Sequence, residues 1–278
     1  MITTTSLTTS PIRRLPIVAS SLFIAIAVFF AGPPLLTPLI DPSGIQNRND
    51  LGVAVDQGFA SFWTNGGRLE STFRQATRYW STYHLLKCLF AAFVVLSASV
   101  LASRLIVRFQ RAQPLGIASL WAVAGISVAG VGAFFSLLVI ANLQGPFAPI
   151  ASLLPTLTTS PNQHSMQVVA EAQRLAEQTH RTNYPPPLER MVSEFSRFHL
   201  VLAVLATVLA VLALRFALSA WRRSSRTATD DRRNRFMLRT LAPTAAIAAT
   251  ALAIIATANA ATAAAPIRAF AGALSGGF

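Results

Sequence analysis

Cysteine and acidic residues are scarce in this sequence, and each shortage excludes a class of site. The single cysteine, Cys88, rules out a disulfide framework or a cysteine-based metal site within one chain. Aspartate and glutamate together number ten, and none of them falls inside a long apolar run. Because ion-coupled transporters usually place an ionisable group in mid-membrane, that class is disfavoured. The sequence also has no nucleotide-binding, nucleophile-elbow or zinc-protease motif, so it indicates no familiar enzyme class.

Long apolar runs are what the sequence has in abundance. Hydrophobic residues make up 53% of the 278 residues and charged residues only 12%. A helix needs about 20 apolar residues to cross a bilayer, and five runs come close to that length. The sequence therefore predicts an all-α integral membrane protein with spans at residues 15–31, 84–103, 116–143, 198–220 and 241–262. The fifth run is rich in alanine and threonine, which makes it only marginally hydrophobic.

The start of the chain allows two interpretations. Arg13 and Arg14 precede the first apolar run, as they would in a cleaved twin-arginine export signal. Such a signal needs small residues at a cleavage site, whereas a Gly-Pro-Pro sequence follows this run. We therefore favour an uncleaved first span, preceded by a cytoplasmic tail of residues 1–14.

Two long polar segments, residues 32–83 and 145–197, separate the spans and contain apolar residues at helical spacing. In the first segment this pattern follows a predicted N-cap at Asn49-Asp50 and precedes a predicted turn at residues 65–67. Each pattern predicts an amphipathic helix. The apolar residues are Leu51, Val55, Phe59 and Phe62 in the first segment and Val168, Ala172, Leu175 and Ala176 in the second.

The stretches that lead into the second and fourth spans match each other when shifted by 115 residues. The matched pairs are Phe73/Leu188, Ala76/Met191, Trp80/Phe195, Tyr83/Phe198, His84/His199 and Leu85/Leu200. We predict two repeat units, residues 15–114 and 115–239, each made of two spans, an outer segment and a basic loop. The expected fold is a duplicated 2+2 transmembrane helix bundle with a helical extracytoplasmic cap, to which residues 240–278 add a fifth span and a tail. Chance similarity between alanine- and leucine-rich spans is the alternative interpretation.

Arginine residues cluster at one end of the predicted spans. The net charge is +13, yet each long polar segment balances four arginines with four acidic residues. The positive-inside rule predicts that the N-terminus and the basic loops, including residues 222–239, are cytoplasmic and the C-terminus is outside, in a bacterial cytoplasmic membrane. Since arginines next to anionic lipid determine topology, we expect the lipid bilayer as a partner and no nucleic acid. The residues concerned are Arg13, Arg14, Arg104, Arg108, Arg111, Arg222, Arg223, Arg226, Arg232, Arg233, Arg235 and Arg239.

His84 and His199 are the strongest candidates for chemistry, because the predicted duplication places both near the outer membrane surface. Imidazole side chains there could ligate a haem or a metal, or form a hydrogen bond with a quinone. Trp80 and Phe195 lie one helical turn earlier and could line the ring of such a cofactor. The alternative is an interfacial belt of aromatic and histidine side chains that anchors the helices. We favour this structural interpretation, with no cofactor, and keep haem or quinone as the alternative.

The residues at the start of the second predicted span resemble those of a known family. The pattern Trp80-x-x-Tyr83-His84-x-x-Lys87, together with Asn142 near the end of the third span, resembles the anthrone-oxygenase-like family of small four-span bacterial membrane proteins. The resemblance covers the first four spans, and the basic position after the histidine is missing from the second repeat unit. The layout also resembles multi-pass membrane proteins of high-GC bacteria whose N-terminus carries a twin-arginine label. These resemblances imply a helical membrane fold and fix no activity.

Three functions are compatible with the sequence. The first is a non-enzymatic inner-membrane protein that takes part in interaction or assembly with other membrane proteins through its outer cap. The second is a membrane redox or oxygenase-type protein that uses His84 and His199. The third, a transporter or channel, is disfavoured because the spans contain no acidic residue.

Overall fold

The structure is a computed structural model that describes residues 14–113, 115–160, 162–178, 183–228 and 231–275. Within these ranges all regular structure is helical, which confirms the all-α prediction. The helices are α1 (Arg14–Ile40), α2 (Arg48–Thr64), α3 (Ser71–Arg111), α4 (Leu115–Phe147), α5 (Pro149–Thr158), α6 (Gln163–Glu177), α7 (Pro186–Arg226), α8 (Arg232–Ala264) and α9 (Pro266–Leu274). Arg13, most of the predicted N-terminal tail and the last three residues of the C-terminal tail lie outside the described residues.

Five of these helices, α1, α3, α4, α7 and α8, are long and apolar enough to cross a membrane. Each predicted span lies inside one of them. In their most apolar stretches only 11% to 28% of the residues are buried, so most of their apolar surface faces outward. Side chains such as Phe23 and Leu39 are 77% and 80% exposed. Apolar surface on this scale is compatible with lipid contact, which agrees with a multi-pass membrane protein.

The long helices extend beyond the apolar runs. Helices α3 and α7 have 41 residues each, so each joins an amphipathic stretch to its apolar run without a break. Helix α1 continues past its apolar run through Pro33, Pro34 and Pro38. Each proline lacks an amide donor for the carbonyl one turn earlier, yet the helix ends only at Ile40.

The chain forms two compact units, one of residues 1–32 and 87–139 and the other of residues 33–86 and 140–278. In the first unit, parts of α1, α3 and α4 share an apolar core. Phe29 meets Phe135 edge to face, with ring centroids 5.1 Å apart. Gly132 lets α4 lie close to α3, since a Cβ atom there would be 3.3 Å from the Cβ of Ala98.

The second unit has its own apolar core, which we call the short-helix cluster. It consists of α2, α5, α6 and α9 together with the first turns of α3 and α7. Phe59, Phe62 and Phe73 are fully buried there, with ring centroids 5.5 to 6.2 Å apart. The apolar residues predicted for the two amphipathic helices are all buried in this core, so both stripes are confirmed.

The start of α2 differs from the prediction. Asn47, not Asn49-Asp50, is the N-cap: its side-chain oxygen accepts from the amides of Asn49 at 2.8 Å and Asp50 at 3.0 Å. The Asp50 carboxylate accepts from the amide of Gln46 at 3.0 Å, so the two side chains cap the helix reciprocally. The predicted N-cap at Asn49-Asp50 is wrong by two residues, because the sequence offers an asparagine at both positions.

The turn predicted at residues 65–67 is confirmed and joins α2 to α3. Gly66 and Gly67 have φ angles of +65° and +80°, which side chains with a Cβ atom rarely adopt. A Cβ atom on Gly67 would also lie 3.0 Å from the Cα of Pro187. The Arg190 guanidinium donates to the Gly67 carbonyl at 3.0 Å, so this turn is bound to the first turns of α7.

Candidate functional site

His84 forms a hydrogen bond between two helices. Its Nδ1 lies 2.9 Å from Oδ1 of Asn142, which belongs to α4. Because an amide oxygen can only accept, Nδ1 of the imidazole is the donor. The Asn142 side chain lies in an apolar run and is only 6% exposed, so it needs such a partner.

His199 forms the corresponding bond between α7 and α8. Its Nδ1 lies 2.7 Å from Oδ1 of Asn259. The amide nitrogen of Asn259 donates to the carbonyl of Ile255 at 2.8 Å, one turn earlier in α8, which fixes the orientation of the amide. In the neutral form of the imidazole, this contact places the His199 proton on Nδ1 and the lone pair on Nε2.

The aromatic neighbours of the two histidines also correspond. The ring centroids of Trp80 and His84 are 4.4 Å apart at an interplanar angle of 65°, and those of Phe195 and His199 are 4.5 Å apart at 65°. The residues directly before the histidines, Tyr83 and Phe198, both lie 5.6 Å from the imidazole at 78°. The four predicted site residues are therefore brought together as two pairs, Trp80 with His84 and Phe195 with His199.

The two asparagines are site residues that the sequence reasoning did not assign. In the sequence, Asn142 belongs to the family resemblance alone, and Asn259 lies within the predicted fifth span. The available signal was an asparagine in each of two apolar runs, 117 residues apart. A polar amide inside an apolar run usually marks an interhelical bond.

The His84 ring lies directly on the backbone of α4. A Cβ atom on Gly145 would be 2.8 Å from Cγ of His84 and 3.0 Å from its Cβ. The neighbouring Gln144 side chain is buried and donates to the Phe198 carbonyl of α7 at 3.3 Å. The end of α4 therefore contacts both histidine-bearing helices.

Each aromatic partner also contacts the short helix that follows the asparagine-bearing helix. Trp80 Nε1–H donates to Ser152 Oγ of α5 at 2.6 Å. Phe195 packs edge to face on Phe270 of α9, with centroids 5.5 Å apart. The adjacent Ser196 hydroxyl donates to the Ala263 carbonyl at 2.7 Å, at the end of α8.

Glu194 is a buried acidic side chain in this region. Its carboxylate accepts from the Ile150 amide at 3.3 Å and so caps α5, whose N-cap residue Ala148 has no side-chain acceptor. Burial raises the pKa of the Glu194 carboxyl, and the lowering effects of the Ile150 amide and the Arg197 guanidinium do not cancel it. The group lies before the predicted span at 198–220 and links α7 to α5.

Metal binding needs a cluster of ligands. Across the described ranges, no three or more histidine, cysteine, aspartate or glutamate side chains come together in a way suited to a metal ion. In its neutral form, His199 would keep its lone pair on Nε2, as histidines that bind a metal do, since Nδ1–H is held by an oxygen acceptor. The arrangement is thus suited to helix–helix bonding and, at His199, to one further acceptor contact.

Four of the predicted topology arginines lie in the last turns of long helices. Arg108 and Arg111 are in the last turn of α3, and Arg223 and Arg226 in the last turn of α7. The guanidinium of Arg108 lies over the Trp121 ring, 4.9 Å from its centroid. The prediction of a basic loop at 222–239 is wrong in extent, because residues 222–226 belong to α7 and residues 232–239 to α8; residues 229 and 230 lie outside the described residues.

Comparison with known proteins provides no relative. No family model, no curated protein and no solved structure matches the chain. The resemblance to the anthrone-oxygenase-like family therefore stays a prediction. Function has to be inferred from the two histidine–asparagine pairs and the helices that carry them.

Proposed function

We propose that this chain is a non-enzymatic integral membrane protein that binds other membrane proteins through its short-helix cluster. The observation that carries the proposal is the use of both histidines as interhelical bonds. Each ring is held by an asparagine of another helix and covered by an aromatic side chain one turn earlier. Polar bonds of this kind link helices within a bilayer and typically contribute about 0.6 kcal/mol, at most about 1.7 kcal/mol.

The repeated pairs also support a duplication, which we propose with other bounds than the sequence predicts: α3 pairs with α7, and α4 pairs with α8. Helices α3 and α7 both have 41 residues, and α4 and α8 both have 33. At the end of α4, Ala148 has φ −144° and ψ 65°, and at the end of α8, Ala265 has φ −135° and ψ 65°. A proline starts the next helix in both cases. On this basis α8 is the counterpart of α4 and not an appendage.

The proposed orientation follows from the arginines. The ends of α3 and α7 that carry them would be cytoplasmic, and the short-helix cluster would form the extracytoplasmic cap. The long helices would lie in a bacterial cytoplasmic membrane. This orientation leaves the cluster, whose two polar segments have balanced charges, as the surface presented to partners outside the membrane.

The short-helix cluster has the properties of an interaction surface. Around its buried aromatic core, the cluster exposes single large apolar side chains among polar ones. Val53 on α2 and Met166 on α6 are 55% and 54% exposed. These two side chains are apolar surface that a bound partner would remove from water.

Site-specific photo-cross-linking in the native membrane tests this function. A photoreactive amino acid at Val53 or Met166 is expected to give a discrete protein adduct, because partners would contact the cluster. The same probe at Ile126, an exposed apolar residue within α4, should label lipid and give no protein adduct. Failure of both cluster positions to give a discrete adduct at native expression levels would contradict the proposal.

A second candidate, the redox or oxygenase-type protein, is favoured by the orientation of His199. With Nδ1–H bonded to Asn259, Nε2 could ligate a haem iron or accept a bond from a quinone. The haem would supply electron-transfer or oxygen chemistry, and His199 would hold it.

The absorption spectrum, metal content and quinone extract of the detergent-purified protein separate the two candidates. We expect a colourless, metal-free and quinone-free preparation, unchanged in His84→Ala and His199→Ala. The control is His164→Ala, because His164 is exposed on α6 and far along the chain from both pairs. A Soret band that is present in His164→Ala and absent from His84→Ala or His199→Ala would contradict the non-enzymatic proposal.

A further inference from the structure

A groove of about 410 Å³ runs along the α7–α8 pair. Its walls include Leu200, Thr207 and Val208 of α7 and Ala256, Thr257 and Ala260 of α8. The volume falls within the range of about 300–1,000 Å³ that is usual for small-molecule sites. The groove opens on the side of two helices that are apolar enough to lie in a membrane.

The walls of the groove offer no free hydroxyl proton to a ligand. The Thr207 hydroxyl donates to the Ala203 carbonyl at 2.8 Å, and the Thr257 hydroxyl donates to the Ala253 carbonyl at 2.9 Å. Both hydroxyl protons are thus used within their own helices, and the remaining wall consists of alanine, valine and leucine. A hydrocarbon chain is the ligand that such walls accept without leaving a polar group unsatisfied.

One end of the groove is polar. Ala203 lies one helical turn after His199, and Ala256 lies one turn before Asn259, so the histidine–asparagine pair is one turn away from residues that line the groove. From Leu200 to Val208 the groove follows α7 for about 12 Å, at about 1.5 Å per residue. With its proton on Nδ1, the His199 ring has its acceptor at Nε2, and a hydroxyl group is the matching donor.

We propose that the groove binds one acyl chain of a phospholipid whose head group donates a hydroxyl to His199 Nε2. The acyl chain would lie along Val208, and the head-group hydroxyl would lie at the His199 end of the groove. A bilayer places the tail and the head of a lipid in the same order. The proposal rests on the proposed placement of α7 and α8 in the membrane.

The first histidine pair has bulkier side chains at the corresponding positions. With the offsets of 115 and 117 residues, Val208, Ala256 and Ala260 correspond to Phe93, Val139 and Leu143. Placed in the α7–α8 groove, these three larger side chains would occupy space that the smaller ones leave open. The residues of the first pair therefore provide substitutions that would fill the groove.

The test uses the full-length protein in lipid nanodiscs with two photoreactive lipids. One is phosphatidylglycerol with a diazirine on its acyl chain, whose head group has glycerol hydroxyls, and the other is the matched phosphatidylcholine, which has none. Mapping of the cross-linked peptides should show several-fold more labelling by phosphatidylglycerol at groove residues than at Phe216 and Ile247, which are 50% and 71% exposed. Phosphatidylcholine should show a smaller preference.

Two variants separate the chain site from the head-group site. Ala256→Val combined with Ala260→Leu should abolish the preference for the groove, whereas Ala258→Leu, at an exposed position outside it, should not. His199→Ala should retain labelling of the groove and lose the difference between the two lipids. Circular dichroism identifies any variant that fails to fold.

Two outcomes would overturn the inference, and they are distinguishable. Equal labelling of groove and control positions by both lipids would leave the membrane placement intact and remove the lipid site. A lack of labelling anywhere on α7 and α8 would instead contradict the membrane placement itself, and with it the proposed function.

Discussion

Replacing Gly58 with alanine is expected to destabilise the short-helix cluster by about 3 kcal/mol, the upper part of the usual range for an overpacked core. A Cβ atom on Gly58 would lie 2.6 Å from the Cβ of Phe73 and 2.7 Å from its Cα. These atoms belong to or adjoin the backbone of α3, so no side-chain rotation relieves the contact. Helix α2 would have to move away from α3 and open the core around Phe59 and Phe62.

Gly52→Ala is the matched control, because Gly52 lies in the same helix and a Cβ atom there meets nothing within 4 Å. Alanine at that position should stabilise the helix by about 0.5–1 kcal/mol through its higher helix propensity. The measurement is thermal unfolding in detergent followed by circular dichroism, with limited proteolysis of the turn at residues 65–67 as a local readout. Equal behaviour of the two variants would refute the close contact between α2 and α3.

The second large effect is expected for Gly145→Ala, which should destabilise the protein by about 2 kcal/mol. The new methyl group would lie 2.8 Å from Cγ of His84 and would push the ring away from α4. Displacement of the ring would also break the 2.9 Å bond in which His84 Nδ1–H donates to the buried amide oxygen of Asn142. Gly130→Ala, in the same helix with open space around it, should have little effect.

A double-mutant cycle tests whether Gly145→Ala acts through this hydrogen bond. If it does, the combination of Gly145→Ala with Asn142→Ala should cost less than the sum of the two single variants, because the bond can be lost only once. The same cycle with Asn259→Ala in place of Asn142→Ala should be additive. Additivity in both cycles would mean that the methyl group disturbs α4 without displacing His84.

The sequence predicted the elements that depend on periodicity alone. The stripes in α2 and α6 follow from apolar residues at helical spacing, and the residues of both are buried as expected. The apolar runs likewise lie inside the five long helices, because hydrophobicity over about 20 residues is a strong signal. The helix ends were harder: α1 continues nine residues beyond residue 31, through prolines that would usually stop a helix.

The partners of the histidines could not be predicted in the same way. A hydrogen bond between His84 and Asn142 depends on how two helices are aligned along and around their axes, and periodicity does not contain that alignment. The sequence did predict which aromatic residue lies next to each histidine, since Trp80 and Phe195 are one turn away on the same helix. It did not predict the pairing of His199 with α8, because the fifth run was interpreted as an addition to the bundle.

Helix α7 connects the short-helix cluster, His199 and the groove along a single axis. Its residues from Leu188 to Arg226 include no glycine and no proline, the residues at which long helices usually bend. The helix is about 60 Å long, at about 1.5 Å per residue. Leu188 in the cluster core, His199, the groove and the arginines of its last turn therefore lie on one stiff rod. If α7 tilts as one body, a tilt at the cluster would also move the walls of the groove, which would couple the binding of a partner to the binding of a lipid.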